Sequence, residues 1–160
     1  MMNRIFVGAA LGLLGLAGAS CSQMTSPSAP TPGGTANFAA ELAFCVDQTN
    51  RYRASVGRAP LARSQALEEF ATKAAEHDAN ARVAHQHFAL TNGGGVSRAE
   101  TEILWWKGVA APDVVERGLA QMWRVGPSGE HYDIMSGAFT EIGCGIYESG
   151  GEITIAQDFR

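Results

Sequence analysis

One stretch near the end of the chain, EIGCGIYESGGEITIAQDF (141–159), constrains the fold more than any other. Ile142, Cys144 and Ile146 alternate with Gly143, Gly145 and Tyr147. Ile153, Ile155, Gln157 and Phe159 alternate with Thr154, Ala156 and Asp158. Period-two alternation on both sides of a Ser-Gly-Gly turn predicts a β-hairpin. Cys144 shares a face with two isoleucines and reads as buried and unreactive. The opposite face of the same strand carries two glycines. Glycine there lets another element approach the backbone closely, and a neighbouring helix is the plain candidate.

Helical periods precede the hairpin. Phe38, Leu42, Cys45, Thr49, Tyr52 and Val56 recur at steps of three and four, and Gly57 ends the run. Ser64 is placed to cap a second helix, with Glu68 and Glu69 in its first turn and Leu67, Phe70, Ala74 and Ala81 on one face. This helix is expected to fade near Arg82. Residues 85–112 read as irregular, with TNGGG (91–95) unsuited to helix or strand. Pro112 and Asp113 open a third helix, Asp113 and Glu116 forming a capping-box-like pair. Val115, Leu119, Met122 and Trp123 share a face, and GPSG (126–129) stops it. Helices first and strands last point to an α+β sandwich, not a doubly wound sheet.

The N-terminus reads as a targeting segment. Arg4 precedes an uncharged apolar run from Ile5 to Ala19 that ends in Ala-Gly-Ala. The run is shorter than the roughly 20 residues a spanning helix needs, which fits a secretory signal peptide over residues 1–20. Residues 21–36 are rich in Ser, Thr, Pro and Gly and read as a linker. The folded domain is expected over 37–160. Cys21 follows the apolar run, as the acylated cysteine of a bacterial lipoprotein does; cleavage after Ala19 would instead leave a soluble chain. Three cysteines in an exported protein leave one without a partner. Lipid on Cys21 leaves Cys45 and Cys144 as a pair, either a disulfide or two buried thiols. A disulfide would contribute roughly 2–4 kcal/mol. The net charge is −4, which excludes a basic nucleic-acid footprint.

Chemistry is sparse. No GxSxG elbow and no phosphate-binding loop occurs. His85, His87 and His131 fall outside the regular periods, and Glu100 and Glu102 lie between them; His77 sits within the second helix and reads as solvated. Imidazole and carboxylate together suit zinc, yet the spacing is not that of a helical zinc motif, and solvated histidines would look the same. Trp105 and Trp106 either cover the edge of the core or line a groove for an apolar ligand.

In order along residues 40–160, TNRYRASVGRAPL (49–61), HQHF (85–88), AET (99–101), MW followed by GEHYDIM (122–135), TEIGCGIY (140–147) and AQDF (156–159) resemble the motifs of the CAP superfamily. That superfamily comprises the cysteine-rich secretory, antigen and pathogenesis-related proteins, and has bacterial exported members. The resemblance implies an α-β-α sandwich of the SCP-like type. It also implies a shallow cleft where two His and two Glu can hold zinc or another divalent ion. His131 matches the second His, Glu100 matches the Glu of the family's Gly-Glu-Asn with Glu102 beside it, and either His85 or His87 matches the first His. Val125 and Gly126 stand where a second Glu is expected, and Thr101 replaces an Asn. Glu130 is the candidate substitute carboxylate.

These features together imply an exported envelope protein. It is either a ligand- or lipid-binding interaction module with a degenerate, weakly zinc-binding cleft, a zinc-dependent hydrolase, or a structural lipoprotein. The missing Glu argues against hydrolysis. The expected partners are a lipid, a small apolar ligand or an envelope component, with no nucleic acid, and Cys21 would supply the membrane anchor.

Overall fold

Gly143 and Gly145 decide how the layers meet. The computed structural model describes residues 37–160; the expected signal peptide, the linker and Cys21 lie outside the described residues. Strands β1 (Ala62–Arg63), β2 (Ala99–Lys107), β3 (Glu141–Ser149) and β4 (Glu152–Phe159) form one sheet in the order β1-β3-β4-β2. β1 runs parallel to β3, while β4 is antiparallel to both β3 and β2. The hairpin turns on Gly150 and Gly151, both at positive φ, which glycine adopts without a Cβ clash.

Helix α2 (Gln65–Ala81) lies across one face of β3 and β4. A Cβ on Gly143 would overlap the backbone of Leu67 and Glu68. One on Gly145 would overlap Ala71 and Thr72. The alanines 71, 74 and 75 of α2 and Ala156 of β4 complete this thin, fully buried seam. The expected close approach of a helix to the glycine face is therefore met by α2.

The other face carries the larger core. Helices α1 (Ala39–Ser55) and α4 (Ala111–Arg124) pack there. Their Cys45, Val46, Val114, Val115, Leu119 and Met122 meet Ile142, Ile146, Ile153, Ile155 and Phe159 of the sheet. Cys45 and Cys144 form a disulfide, with Cα atoms 6.5 Å apart, within the range a bridge requires. The buried Gln157 amide lies beside it, donating to Thr49 Oγ1 at 2.8 Å while its Oε1 accepts from Thr101 Oγ1 at 3.0 Å. A polar side chain is tolerated there because both ends of its amide are paired. Helices cover both faces, so the architecture is an α-β-α sandwich.

Several local expectations change. Residues 85–112 are not irregular: they hold α3 (Gln86–Thr91), a 3₁₀ turn over Asn92–Gly95 and the nine-residue strand β2. Glu100 and Glu102 therefore sit on a strand, not in a loop. The cap of α4 is Ala110, with no side-chain hydrogen bond, so Asp113 and Glu116 do not form a capping box. Ser64 precedes α2 in extended geometry but its hydroxyl makes no cap bond. Val56 and Ala81 are exposed, because each lies at a helix end beyond the sheet. His131, outside the regular periods of the sequence, lies in a short helix, α5 (Glu130–Met135). Among the described residues no helix is long and apolar enough to cross a membrane.

Candidate metal cleft

Strand register places the acids. Glu100 pairs with Asp158, and Glu102 with Ala156; Asp158 pairs in turn with Gly143, and Ala156 with Gly145. Paired residues share a face, so Glu100, Glu102 and Asp158 all stand on the α2 side of the sheet. They lie beyond the helix's alanine seam, where the chain after α2 covers them.

That covering segment is pinned by carboxylates. Arg82 and His85 both adopt left-handed backbone, which turns the chain sharply between α2 and α3. Asp78, buried on α2, accepts the His87 backbone N–H at 2.8 Å. Glu102 accepts the His85 backbone N–H at 2.7 Å. These bonds hold the His85 ring over β2, with Nδ1 3.0 Å from Glu100 Oε1 and 3.6 Å from Glu102 Oε2. His87 points elsewhere: its ring packs 5.0 Å from that of Phe70 and 5.5 Å from that of His77. His77 is not simply solvated, since its Nδ1 lies 2.8 Å from Asp78 Oδ1.

His131 arrives from the other side of the cleft. Its helix α5 is held at both ends of the aromatic and carbonyl framework. Tyr132 packs tilted against Trp123 with ring centroids 4.4 Å apart, and Trp123 stacks on Tyr52 at 5.2 Å. The buried Arg53 guanidinium donates to the carbonyls of Met135 and Gly137, each at 2.9 Å, and to Ala59 at 3.0 Å. It thereby satisfies helix-end carbonyls that would otherwise lack donors. A depression of about 390 Å³ is lined by His85, Glu100, Glu130 and His131. A neighbouring one of about 400 Å³ is lined by His131, Glu102, Val125 and the apolar side chains of Leu104, Trp106 and Met122. Glu130 thus borders the cleft, and Val125, 47% exposed, faces the adjoining groove.

The electrostatics favour a cation. Burial, with Glu100 close by, pushes the Glu102 carboxyl up to about 8 against the pull of the His85 N–H. Burial and Glu100 likewise raise Asp158 to about 8. The hydrogen bond that the ring donates to Glu100 raises His85, outweighing its own burial. His131 is lowered by burial and by the nearby His85, which keeps its ring neutral and its lone pair free. Glu100 Oε2, Glu102 Oε1 and both oxygens of Asp158 are buried without a hydrogen-bond partner. Buried carboxylate oxygens without donors are costly unless a proton or a cation serves them.

The donor set fits a divalent ion. One ligand atom each from His85, Glu100 and Glu102 lie within 4.8 Å of one another. Zinc bonds of about 2.0–2.1 Å in a tetrahedron imply ligand–ligand edges of about 3.3 Å. The 3.0 and 3.6 Å separations around His85 Nδ1 bracket that value. Three protein ligands with an opening to solvent is the arrangement of a site that keeps one position free. Sequence reasoning missed Asp78, Asp158 and Arg53. Asp158 was visible only as a polar position of the hairpin, and its pairing with Glu100 needs β2.

The family model described as CAP, cysteine-rich secretory protein family, matches residues 46–159. An outer surface protein of Borrelia burgdorferi is similar in structure, with a TM-score of 0.55 and 15% identity over 80% of this chain and 98% of that one. A cysteine-rich secretory protein of Staphylococcus aureus gives 0.52 at 13% identity, over 75% of this chain and 38% of that one. An extracellular, SCP-domain-containing protein of Bacillus anthracis gives 0.52 at 17%, over 76% and 40%. The chain spans about two fifths of the latter two. No curated protein is similar enough to count as a match.

Proposed function

Because the chain belongs to the CAP, cysteine-rich secretory protein family, we propose that it is an exported binding module of the cell envelope whose cleft holds a divalent ion. The convergence of His85, Glu100 and Glu102 on one point carries the reading. His131 and Glu130 face the same depression from α5 and supply a further imidazole and acid at its rim. A zinc ion held there would act as a Lewis acid on a bound oxygen. The chain's own residues are poorly arranged to use that for hydrolysis. Val125 and Gly126 provide no carboxylate where the family resemblance expects one, so among the described residues Glu130 is the acid outside the ligand set that lines the depression with His131. Binding, not turnover, is the better use of such a cleft. The half-apolar groove beside His131, with Leu104, Trp106 and Met122, suits the apolar part of a small ligand or lipid. Two of the similar structures are an outer surface protein and an extracellular protein, which supports export. The linker of residues 21–36 and acylation of Cys21 would tether the domain to a membrane.

Equilibrium dialysis of the chelator-treated protein against zinc tests the cleft. One ion per chain is expected. His85→Ala and Glu100→Gln should each weaken binding by about tenfold or more, as loss of a ligand does, while His87→Ala leaves it unchanged. Equal losses from His85→Ala and His87→Ala would overturn the assignment.

A further inference from the structure

Two charges in the wall of the depression over Glu100 are left without partners. Arg98 stands just before β2, its backbone N–H donating to the Phe159 carbonyl at 2.8 Å. It lines the depression beside Ala99 and Glu100, and Glu130 lines it from α5 beside His131 and Ile134. Neither the Arg98 guanidinium nor the Glu130 carboxylate forms an ion pair with the other or with any described residue. Elsewhere on the surface such charges are matched: Arg63 holds Glu68, Arg82 holds Glu152 and Arg160 holds Glu141.

The rest of the wall is divided between carbon and the proposed metal ligands. Phe88, Ala99 and Ile134 supply apolar surface, and His85 and Glu100 belong to the ligand set. Phe88 is kept in place edge-on to Phe70, with ring centroids 6.5 Å apart. At about 390 Å³ the depression is near the small end of ligand sites and takes one compact molecule.

We propose that this depression binds a free α-amino acid with an apolar side chain; the inference rests on the reading of the cleft as a metal site. Arg98 donates a two-pronged, charge-assisted hydrogen bond to the α-carboxylate. An oxygen of that carboxylate also suits the position that three protein ligands leave open on the metal. The ammonium donates to Glu130, and the side chain lies against Phe88 and Ile134. Charge decides against simpler ligands. A divalent ion on two ionised glutamates carries no net charge, so Arg98 and Glu130 are the charges a ligand meets. A phosphate or a fatty acid would answer Arg98 and set an anion against Glu130. An amine would answer Glu130 and set a cation against Arg98. A neutral molecule would leave both unanswered. An α-amino acid carries both charges at one end of an apolar body, which matches the wall.

The test is calorimetric titration of the full chain, loaded with zinc and dialysed free of excess, with leucine as the probe. Isocaproate, which is leucine without its ammonium, and isoamylamine, which is leucine without its carboxylate, are the comparators. Zinc content is measured on the same samples, so that loss of the metal and loss of the ligand are told apart. Leucine should bind once per chain with a Kd of about 1 mM or tighter, and each comparator at least about tenfold more weakly. Arg98→Ala should weaken leucine and isocaproate by about fivefold or more and leave isoamylamine no weaker. Glu130→Ala should weaken leucine by a similar factor and leave isocaproate no weaker. Both residues are exposed, and both variants should retain zinc, which shows that they fold. Zinc-loaded protein that does not bind leucine overturns the proposal and leaves the metal reading standing, whereas failure to take up zinc overturns both. Isocaproate binding as tightly as leucine, or leucine binding unchanged in either variant, also overturns it.

Discussion

The two faces of the sheet are built from the same alternating strands and come out as opposites. Under α1 and α4 the face is thick, apolar and closed, with a disulfide through its middle and its one buried amide, Gln157, paired at both ends. Under α2 the face is thin. Glycine and alanine bring the helix onto the backbone, and beyond the helix the same rows continue into Glu100, Glu102 and Asp158 with unpaired oxygens. One row on each side makes the contrast: Cys144, Gln157 and Thr101 are satisfied, whereas in the row that starts at Gly143 both oxygens of Asp158 and one of Glu100 have no partner. Packing is concentrated on the closed face, and the unpaired buried acids are gathered on the open one.

Substituting one residue on each face sharpens this division. Gly145→Val would drive a branched side chain into the backbone of Ala71 and Thr72. The cost is expected at about 3 kcal/mol or more, the upper end for overpacking, because backbone cannot move aside as a side chain can. Ile155→Val, on the thick face, should cost only about 0.5–1.5 kcal/mol. Denaturant titrations of both variants measure the difference. Equal and small losses would mean that α2 is not seated as described.

How far the sequence reveals these faces depends on the residue types. Helices α1, α2 and α4 and the β3–β4 hairpin are legible because apolar residues recur with a clear period and glycine or proline marks their ends. The disulfide is legible from cysteine counting in a chain whose start reads as a secretory signal. Strand β2 is not. Its α2-side positions are Glu100 and Glu102, and buried acids imitate a solvated loop in any reading based on hydrophobicity. The six residues of α5 are too few to show a helical period. The choice between His85 and His87 rests on a left-handed residue at His85, which a chain with no glycine there does not advertise. The family resemblance names His85, His131, Glu100 and Glu102 as candidates, but Asp158 and Asp78 come to light only through strand pairing and the fold of the covering segment.

A smaller effect separates the faces by pH. Glu102 and Asp158 sit near 8 in the folded protein, against ordinary values of 4.5 and 3.8. Between those limits the folded chain holds protons that the unfolded chain has released, so the metal-free protein should lose stability as pH rises from about 4 to about 8. Zinc favours the ionised ligands and should flatten or reverse that slope. Denaturation midpoints at pH 5 and pH 8, with chelator and with zinc, check it. A chelated protein more stable at pH 8 than at pH 5 would contradict the buried, protonated carboxyls.

Anomalous diffraction at the zinc edge, from crystals soaked in zinc at pH 8, puts the central claim to its most direct test. One strong peak is expected within bonding distance of His85 Nδ1 and of oxygens from Glu100 and Glu102, open on the side facing His131. A peak held by His77 and His87 instead, or no peak near Glu100 and Glu102 at saturating zinc, would contradict the assignment of the open face as the cation site.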